Sequence, residues 1–75
     1  MTNSQIYVVV DDKNRVVYPG LTKTEANNMV KEMLNNGREA VDICAGIQTW
    51  FEEYYPNFKQ YETVRAVDSK SEVNP

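Results

Sequence analysis

Two pairs of adjacent carboxylates are the residues of this chain best suited by type to acid–base chemistry. Asp11 and Asp12 lie between two apolar runs, and Glu52 and Glu53 lie among aromatic residues. General acid–base catalysis needs groups that converge on one reacting atom. Neighbours in a turn or on a helix point in different directions, and nothing in the sequence aims a second group at either pair. The pairs therefore predict a turn and a solvated helix face, and we expect no enzymatic activity.

Other reactive groups are scarce. The 75-residue chain has no histidine and one cysteine, Cys44, which falls among apolar residues as a small buried side chain commonly does. A cysteine nucleophile needs a base, which is usually imidazole. Neither zinc-ligand spacing nor a calcium-binding loop of oxygen ligands occurs. Because the glycines are also scattered, no phosphate-binding loop is predicted, and we expect no metal and no cofactor.

Aromatic and acidic residues coincide in the second half of the chain. Six of the eight aromatic residues lie between positions 49 and 61, and residues 39–62 carry five acids against one base. Side chains that stack on nucleobases normally work inside a positively charged groove. Direct nucleic-acid binding is therefore disfavoured, whereas the local negative charge favours a protein partner, and a basic one in particular.

The N-terminal segment predicts a β-hairpin. The runs QIYVVV and RVVY are rich in β-branched and aromatic residues, and DDKN between them supplies turn residues. An aspartate side chain is expected to bond the turn backbone, Asn14 to take the left-handed conformation, and Pro19-Gly20 to end the second strand. Strand alternation assigns one face to Ile6, Val8 and Val10 and the other to Tyr7 and Val9.

The segment LTKTEANNMVKEMLNNG predicts a helix with signals at both ends. Thr22 and Glu25 have the spacing of a capping box, in which each side chain bonds the backbone of the other. Gly37 is the expected stop, because glycine adopts the left-handed cap without a Cβ clash. The helical spacing predicts one buried stripe, formed by Ala26, Met29, Val30, Met33 and Leu34.

Residues 38–55 fit two conformations. As a helix ending before Pro56, they form one apolar stripe with Ala40, Ile43, Cys44, Ile47, Trp50, Phe51 and Tyr54. Gly46 opposes the helix, because glycine in a helix interior destabilises it by about 1 kcal/mol relative to alanine. The alternative is a strand at 39–44 with Val41 and Ile43 facing inward. The long stripe favours the helix.

A third strand is predicted within 59–67, which completes an α+β fold. The favoured order is ββααβ, a β-hairpin followed by two helices and a closing strand, with both helices on one face of a three-stranded antiparallel sheet. The strand at 39–44 would instead give ββαβα. We expect one compact domain over 1–67 and a frayed C-terminal tail over 68–75.

The predicted helix sorts the aromatic residues. Trp50, Phe51 and Tyr54 share its inner stripe and are expected in the core. The remaining rings fall off the stripe or beyond Pro56, beside the two glutamates. Tyrosine and tryptophan often dominate interface energies. We therefore predict a partner-binding surface formed by Glu52, Glu53, Tyr55, Phe58 and Tyr61.

These features predict a small non-enzymatic protein-binding or inhibitory module, of the kind typical of phage and mobile-element accessory proteins. Two alternatives stay open. One is a homodimer or larger homo-oligomer assembled through sheet edges, and the other is a nucleic-acid mimic that occupies a basic groove. No apolar run is long enough to span a membrane, and a lone cysteine fits a reducing compartment. We expect the cytoplasm of the organism or of a host cell.

Overall fold

The computed structural model describes residues 5–64, so the predicted tail at 68–75 and the end of the predicted closing strand lie outside the described residues. Two short 3-10 turns accompany the main elements, at Ala40–Asp42 and Phe58–Gln60. The strands and helices are, in chain order, β1 (Tyr7–Asp11), β2 (Val16–Leu21), α1 (Lys23–Asn35), β3 (Ile43–Ile47), α2 (Gln48–Tyr54) and β4 (Glu62–Thr63).

The fold is α+β, as predicted, but the sheet differs from the predicted one. It has four strands in the order β3-β1-β2-β4 over the described residues. Strand β1 is antiparallel to both β2 and β3, whereas β4 is parallel to β2. The three-stranded antiparallel sheet is therefore wrong, and so are both predicted element orders, since the described order is ββαβαβ.

The β1–β2 hairpin is confirmed, with two local corrections. Asp11 Oδ1 accepts a hydrogen bond from the Asn14 N–H at 3.2 Å, as expected of an aspartate that opens a turn. The left-handed residue is Arg15, with φ 58°, and not Asn14. Pro19-Gly20 does not end β2 but lies in a bulge where the register against β1 shifts. A bulge accommodates proline because the missing N–H removes no ladder bond there.

Helix α1 begins and ends where its signals predicted. The Thr22 N–H donates to Glu25 Oε1 at 2.9 Å, and the Glu25 N–H donates to Thr22 Oγ1 at 3.0 Å, which completes the capping box. At the other end Gly37 has φ 95°, and the Gly37 and Arg38 N–H groups bond the carbonyls of Leu34 and Met33. This is a Schellman motif. Leu34 is exposed, so the buried stripe ends one residue earlier than predicted.

The favoured helix over 38–55 is confirmed only for Gln48–Tyr54, which form α2, and it is wrong before that point, because Ile43–Ile47 form β3. Val8, Val9 and Val10 are all 0% exposed, so β1 is a central strand that needs a neighbour on each side for its backbone groups. Strand β3 supplies the second neighbour. The alternative strand at 39–44 shares only Ile43 and Cys44 with β3, and Val41 lies in a 3-10 turn.

The two helices pack on opposite faces of the sheet and not on one face. Val9, Leu21 and Ala26 form the core beneath α1, with Met29, Val30 and Met33 packed against it. On the other face, the core beneath α2 consists of Val8, Val10, Val17 and Phe51. Each face of β1 is apolar, so each face needs a cover, and helices on the α1 face alone would have left Val8, Val10 and Val17 in water.

Candidate interaction surface

The aromatic residues of 50–61 are sorted differently from the prediction. Phe51 is buried at 6% exposure, but Trp50 and Tyr54 are 52% and 61% exposed. Tyr55, Phe58 and Tyr61, which were predicted to be available, pack half-buried against the valine core. The reason is that α2 starts only at Gln48. The face of α2 that packs on the sheet is therefore centred on Phe51, and the predicted apolar stripe from Ala40 to Tyr54 does not exist.

Asp12 joins two of these rings. The Tyr55 hydroxyl donates to Asp12 Oδ2 at 2.7 Å, and the Tyr61 hydroxyl donates to Asp12 Oδ1 at 2.5 Å. The two rings meet edge to face with centroids 6.4 Å apart. The hairpin turn is thereby tied to the chain that follows α2, although the partners are 43 and 49 residues apart in sequence.

This cluster raises the pKa values of both phenols. Burial raises the pKa of Tyr55, and its hydrogen bond to Asp12 and the nearby Cys44 raise it further. For Tyr61 the hydrogen bond to Asp12 is the main cause of the raised pKa, and burial adds to it. Both hydroxyl protons are donated to one carboxylate, so the cluster holds the neutral phenols in place.

Two more side chains border the Asp12 cluster. The Arg15 guanidinium lies 5.5 Å from the centroid of the Tyr61 ring, within the range of a cation–π contact. The Cys44 Sγ lies 3.9 Å from the Tyr55 hydroxyl and is partly covered. The Arg15 contact and the bond to Asp12 fix the ring of Tyr61, which forms part of the surface described below.

Asp11 points the opposite way, toward α1. Its oxygens accept from Arg38 Nη1 at 2.7 Å and from Arg38 Nη2 at 2.6 Å, and Asp11 is 1% exposed. Burial acts to raise the pKa of this carboxyl, but bonds from Arg38 and Asn14 together with the Arg38 charge hold it below its usual value. The bond to Asp11 likewise raises the pKa of Arg38. The Schellman motif positions Arg38 for this pair.

The predicted site residues do gather on one surface. An open depression of about 510 Å³ is lined by four of them, with residues from α2, the turn at 58–60 and β4 around them. Tyr55 lines a smaller neighbouring depression of about 300 Å³ with Glu52, Glu53 and Phe58. We call the larger depression the acidic depression. Its lining residues are Thr49, Glu52, Glu53, Phe58, Lys59, Tyr61 and Thr63.

The acidic residues of this surface are accessible. Glu52 and Glu53 are exposed on α2. Gln48 Nε2 donates to Glu52 Oε2 at 2.9 Å, and Gln48 Oε1 accepts from the Gly20 N–H at 2.8 Å, so Glu52 is oriented from the β2 bulge. Such an arrangement can attract a cation and present apolar ring surface beside it, which suits a lysine or arginine side chain.

Sequence reasoning missed Asp12, Trp50 and Tyr54. Asp12 had been assigned to the turn, and no local pattern signals a pairing across more than forty residues. Whether Trp50 and Tyr54 are buried or exposed depends on the residue at which α2 begins. Gly46 did carry a signal, because a glycine inside an apolar strand often marks a close approach by another group. A Cβ at Gly46 would lie 2.8 Å from Phe51 Cε1.

Within residues 5–64, no group of three metal-ligating side chains could hold an ion. The helices of that same stretch are also too short and polar to cross a bilayer. Comparisons with protein-family models, with curated proteins and with solved structures gave no match.

Proposed function

We propose that this chain is a non-enzymatic protein-binding module whose acidic depression binds a basic segment of a partner protein. The observation that supports the proposal is that acidic and aromatic side chains from separate segments meet at one depression. Glu52, Glu53, Phe58 and Tyr61 come from α2 and from the chain beyond it, yet they line one open depression. Binding of this kind inhibits a partner when the bound segment is one that the partner needs for its own function.

Charge favours a basic partner. Two exposed glutamates face the depression against the single lysine Lys59, and the chain as a whole has a net charge of −3. Complementary charge accelerates association and excludes acidic competitors. Two carboxylates in an aromatic setting match one or two basic side chains, whereas a mimic of nucleic acid needs acids repeated along an extended groove. A protein segment is therefore the better occupant.

The depression is held in shape before binding. Tyr61 is fixed by its bond to Asp12 and by Arg15, and Phe58 packs with its centroid 6.3 Å from that of Phe51. Side chains that are already ordered lose little entropy when a partner arrives. The half-buried rings thus contribute as a rigid wall, and the exposed glutamates contribute charge.

The test uses charge reversal with a matched control. Glu52→Lys/Glu53→Lys reverses the charge of the two acids in the depression. Glu32→Lys/Glu39→Lys reverses the charge of two exposed acids outside its lining and changes the net charge by the same amount. Circular dichroism verifies that both variants fold. Each tagged protein is incubated with lysate of the source cells, and captured proteins are quantified by mass spectrometry.

We expect at least one basic protein to be captured by the wild type and by the control but not by Glu52→Lys/Glu53→Lys. Its binding should weaken as salt rises, because exposed charges are screened. Identical capture by all three proteins would contradict the proposal.

A further inference from the structure

Strand β3 is an outer strand of the sheet that residues 5–64 form. Among the described residues its only strand neighbour is β1. Its sequence, ICAGI, contains no charge and no proline, and its register against β1 is regular. Natural edge strands usually carry lysine, proline or a bulge that prevents pairing with another chain. The described part of β3 carries none of these.

The register determines which backbone groups face outward. The Asp12 N–H donates to the Asp42 carbonyl and the Gln48 N–H donates to the Ile6 carbonyl, so even-numbered residues of β3 bond β1. In an antiparallel ladder the bonded and non-bonded pairs alternate. The odd-numbered residues therefore face away from β1. The Ile43 N–H bonds the Ala40 carbonyl, which leaves the Ile43 C=O, the Ala45 N–H and C=O, and the Ile47 N–H for a further strand.

We propose that two copies of this chain pair antiparallel through β3, about a two-fold axis at Ala45, to form one continuous sheet. Each Ala45 N–H donates to the Ala45 carbonyl of the second copy. Each Ile47 N–H donates to the Ile43 carbonyl of the second copy. This symmetric pairing matches every outward donor with an outward acceptor, as a self-complementary two-fold interface requires.

The side chains fit the same axis. Ala45 is small and exposed, so two copies can approach at the centre. On the α1 face, Ile43 of one copy lies opposite Ile47 of the other, which gives a favourable apolar cross-strand pair. On the α2 face, Cys44 lies opposite Gly46 of the second copy, which has no side chain of its own and is covered by the Phe51 ring of that copy. No like charges meet anywhere along the paired strands.

Helix α2 adds an exposed aromatic flank on the same side of the molecule. Thr49 and Glu52 line the acidic depression together with Thr63 of β4, so that flank of α2 faces β4. At 3.6 residues per turn, Trp50 and Tyr54 lie on the opposite flank. Since β4 and β3 are the two outer strands, this flank faces the open edge. The two rings are exposed, with centroids 5.5 Å apart.

The proposed axis stands perpendicular to the sheet, so α2 stays on the same face in both copies. The Trp50 and Tyr54 flanks then face each other above the paired β3 strands. Aromatic residues at the centre of an interface often carry much of its binding energy. The acidic depressions point away from the axis, so pairing does not bring Glu52 and Glu53 of the two copies together. These features single out a second copy as the occupant of the edge.

Sedimentation equilibrium tests the pairing with a matched pair of variants. Ala45→Lys places two like charges at the axis, whereas Thr49→Lys adds the same charge at an exposed site on the other flank of α2. Circular dichroism checks the fold of both. At micromolar concentration we expect the wild type and Thr49→Lys to sediment with twice the 8.7 kDa chain mass, and Ala45→Lys with that mass once. A monomeric wild type, or equal masses for the two variants, would overturn the proposal.

Disulfide trapping tests the position of the axis. In a Cys44→Ala background, Ala45→Cys should form a covalent dimer on mild oxidation. Directly opposed residues in a bonded antiparallel pair have Cα atoms about 5.5 Å apart, which is within disulfide range. Val41→Cys in the same background is the control, because Val41 is 84% exposed and lies before β3. Preferential trapping at position 45 supports the axis, and equal trapping at both positions overturns it.

Discussion

At the scale of single residues, two adjacent aspartates secure the fold from opposite faces of the sheet. Asp11 binds Arg38 behind α1, and Asp12 receives the Tyr55 and Tyr61 hydroxyls beside α2. Their divergence follows from strand alternation, which sends neighbouring side chains to opposite faces. The sequence allowed this divergence to be predicted, but it contained no local signal for the partners.

The tyrosine cluster predicts an alkaline loss of stability. A phenol whose pKa is raised by folding contributes stability that is complete below its unfolded pKa of about 10 and is lost as the pH rises through the folded value. We expect the free energy of unfolding of the wild type to fall above pH about 10. Tyr55→Phe/Tyr61→Phe should show a smaller fall. Urea titrations at several pH values measure it, and Tyr54→Phe, outside the cluster, should keep the wild-type decline.

The Asp11–Arg38 pair predicts an acid loss of stability. A carboxyl whose pKa is lowered by folding contributes stability above its unfolded pKa, about 3.9, and loses it as the pH falls through the folded value. Asp11→Asn should lower the free energy of unfolding at pH 7 by about 2 kcal/mol, the scale of bonds to charged groups. It should also flatten the acid limb of the pH profile. An Asp11→Asn profile parallel to that of the wild type would contradict this assignment, and Glu39→Gln serves as the exposed control.

At the scale of elements, the hairpin and α1 could be predicted and β3 could not. The hairpin and α1 carry their signals locally, in turn residues, the Thr22–Glu25 box and Gly37. Residues 43–47 form a strand because β1 needs a second neighbour, and β1 lies more than thirty residues earlier in the sequence. A short apolar run fits helix and strand alike, so periodicity alone favoured the wrong one.

The effect of Gly46→Ala on the free energy of unfolding has opposite signs in a helix and in a strand. In a helix interior, Gly46→Ala would stabilise the protein by about 1 kcal/mol. In β3, the added methyl meets the Phe51 ring, and overpacking of this kind costs about 1–3 kcal/mol. We expect Gly46→Ala to lower the free energy of unfolding measured by urea titration. Gly46→Ala should cost less in a Phe51→Leu background than in the wild type, because the smaller side chain leaves room for the methyl group. A stabilised Gly46→Ala would contradict the strand.

At the scale of the whole molecule, the two edges of the sheet carry different surfaces. The β4 side carries the acidic depression, and the β3 side carries an uncharged edge with exposed rings above it. Four of the seven residues that line the depression were predicted from composition, because acids and aromatics coincide in the sequence. The open edge could not be located without the strand order. A chain of 75 residues buries a small core, so a partner subunit would add stability that the core cannot supply.

Pairing through β3 predicts that stability depends on protein concentration. A partner that binds only the folded state raises the apparent stability by mass action. The wild-type Tm should therefore rise when the concentration rises from micromolar to hundreds of micromolar. The Tm of Ala45→Lys should stay constant over that range. A wild-type Tm independent of concentration would contradict assembly through this edge.

Both surfaces depend on β3 lying beside β1, and NMR tests that placement most directly. Val9 and Ala45 are opposed in a non-bonded pair of the antiparallel ladder, where Hα atoms approach closely. The structure predicts an Hα–Hα cross-peak between Val9 and Ala45, with slow amide exchange at Cys44 and Gly46. Helical contacts from residue i to i+3 through Ala45, without the Val9 cross-peak, would contradict it.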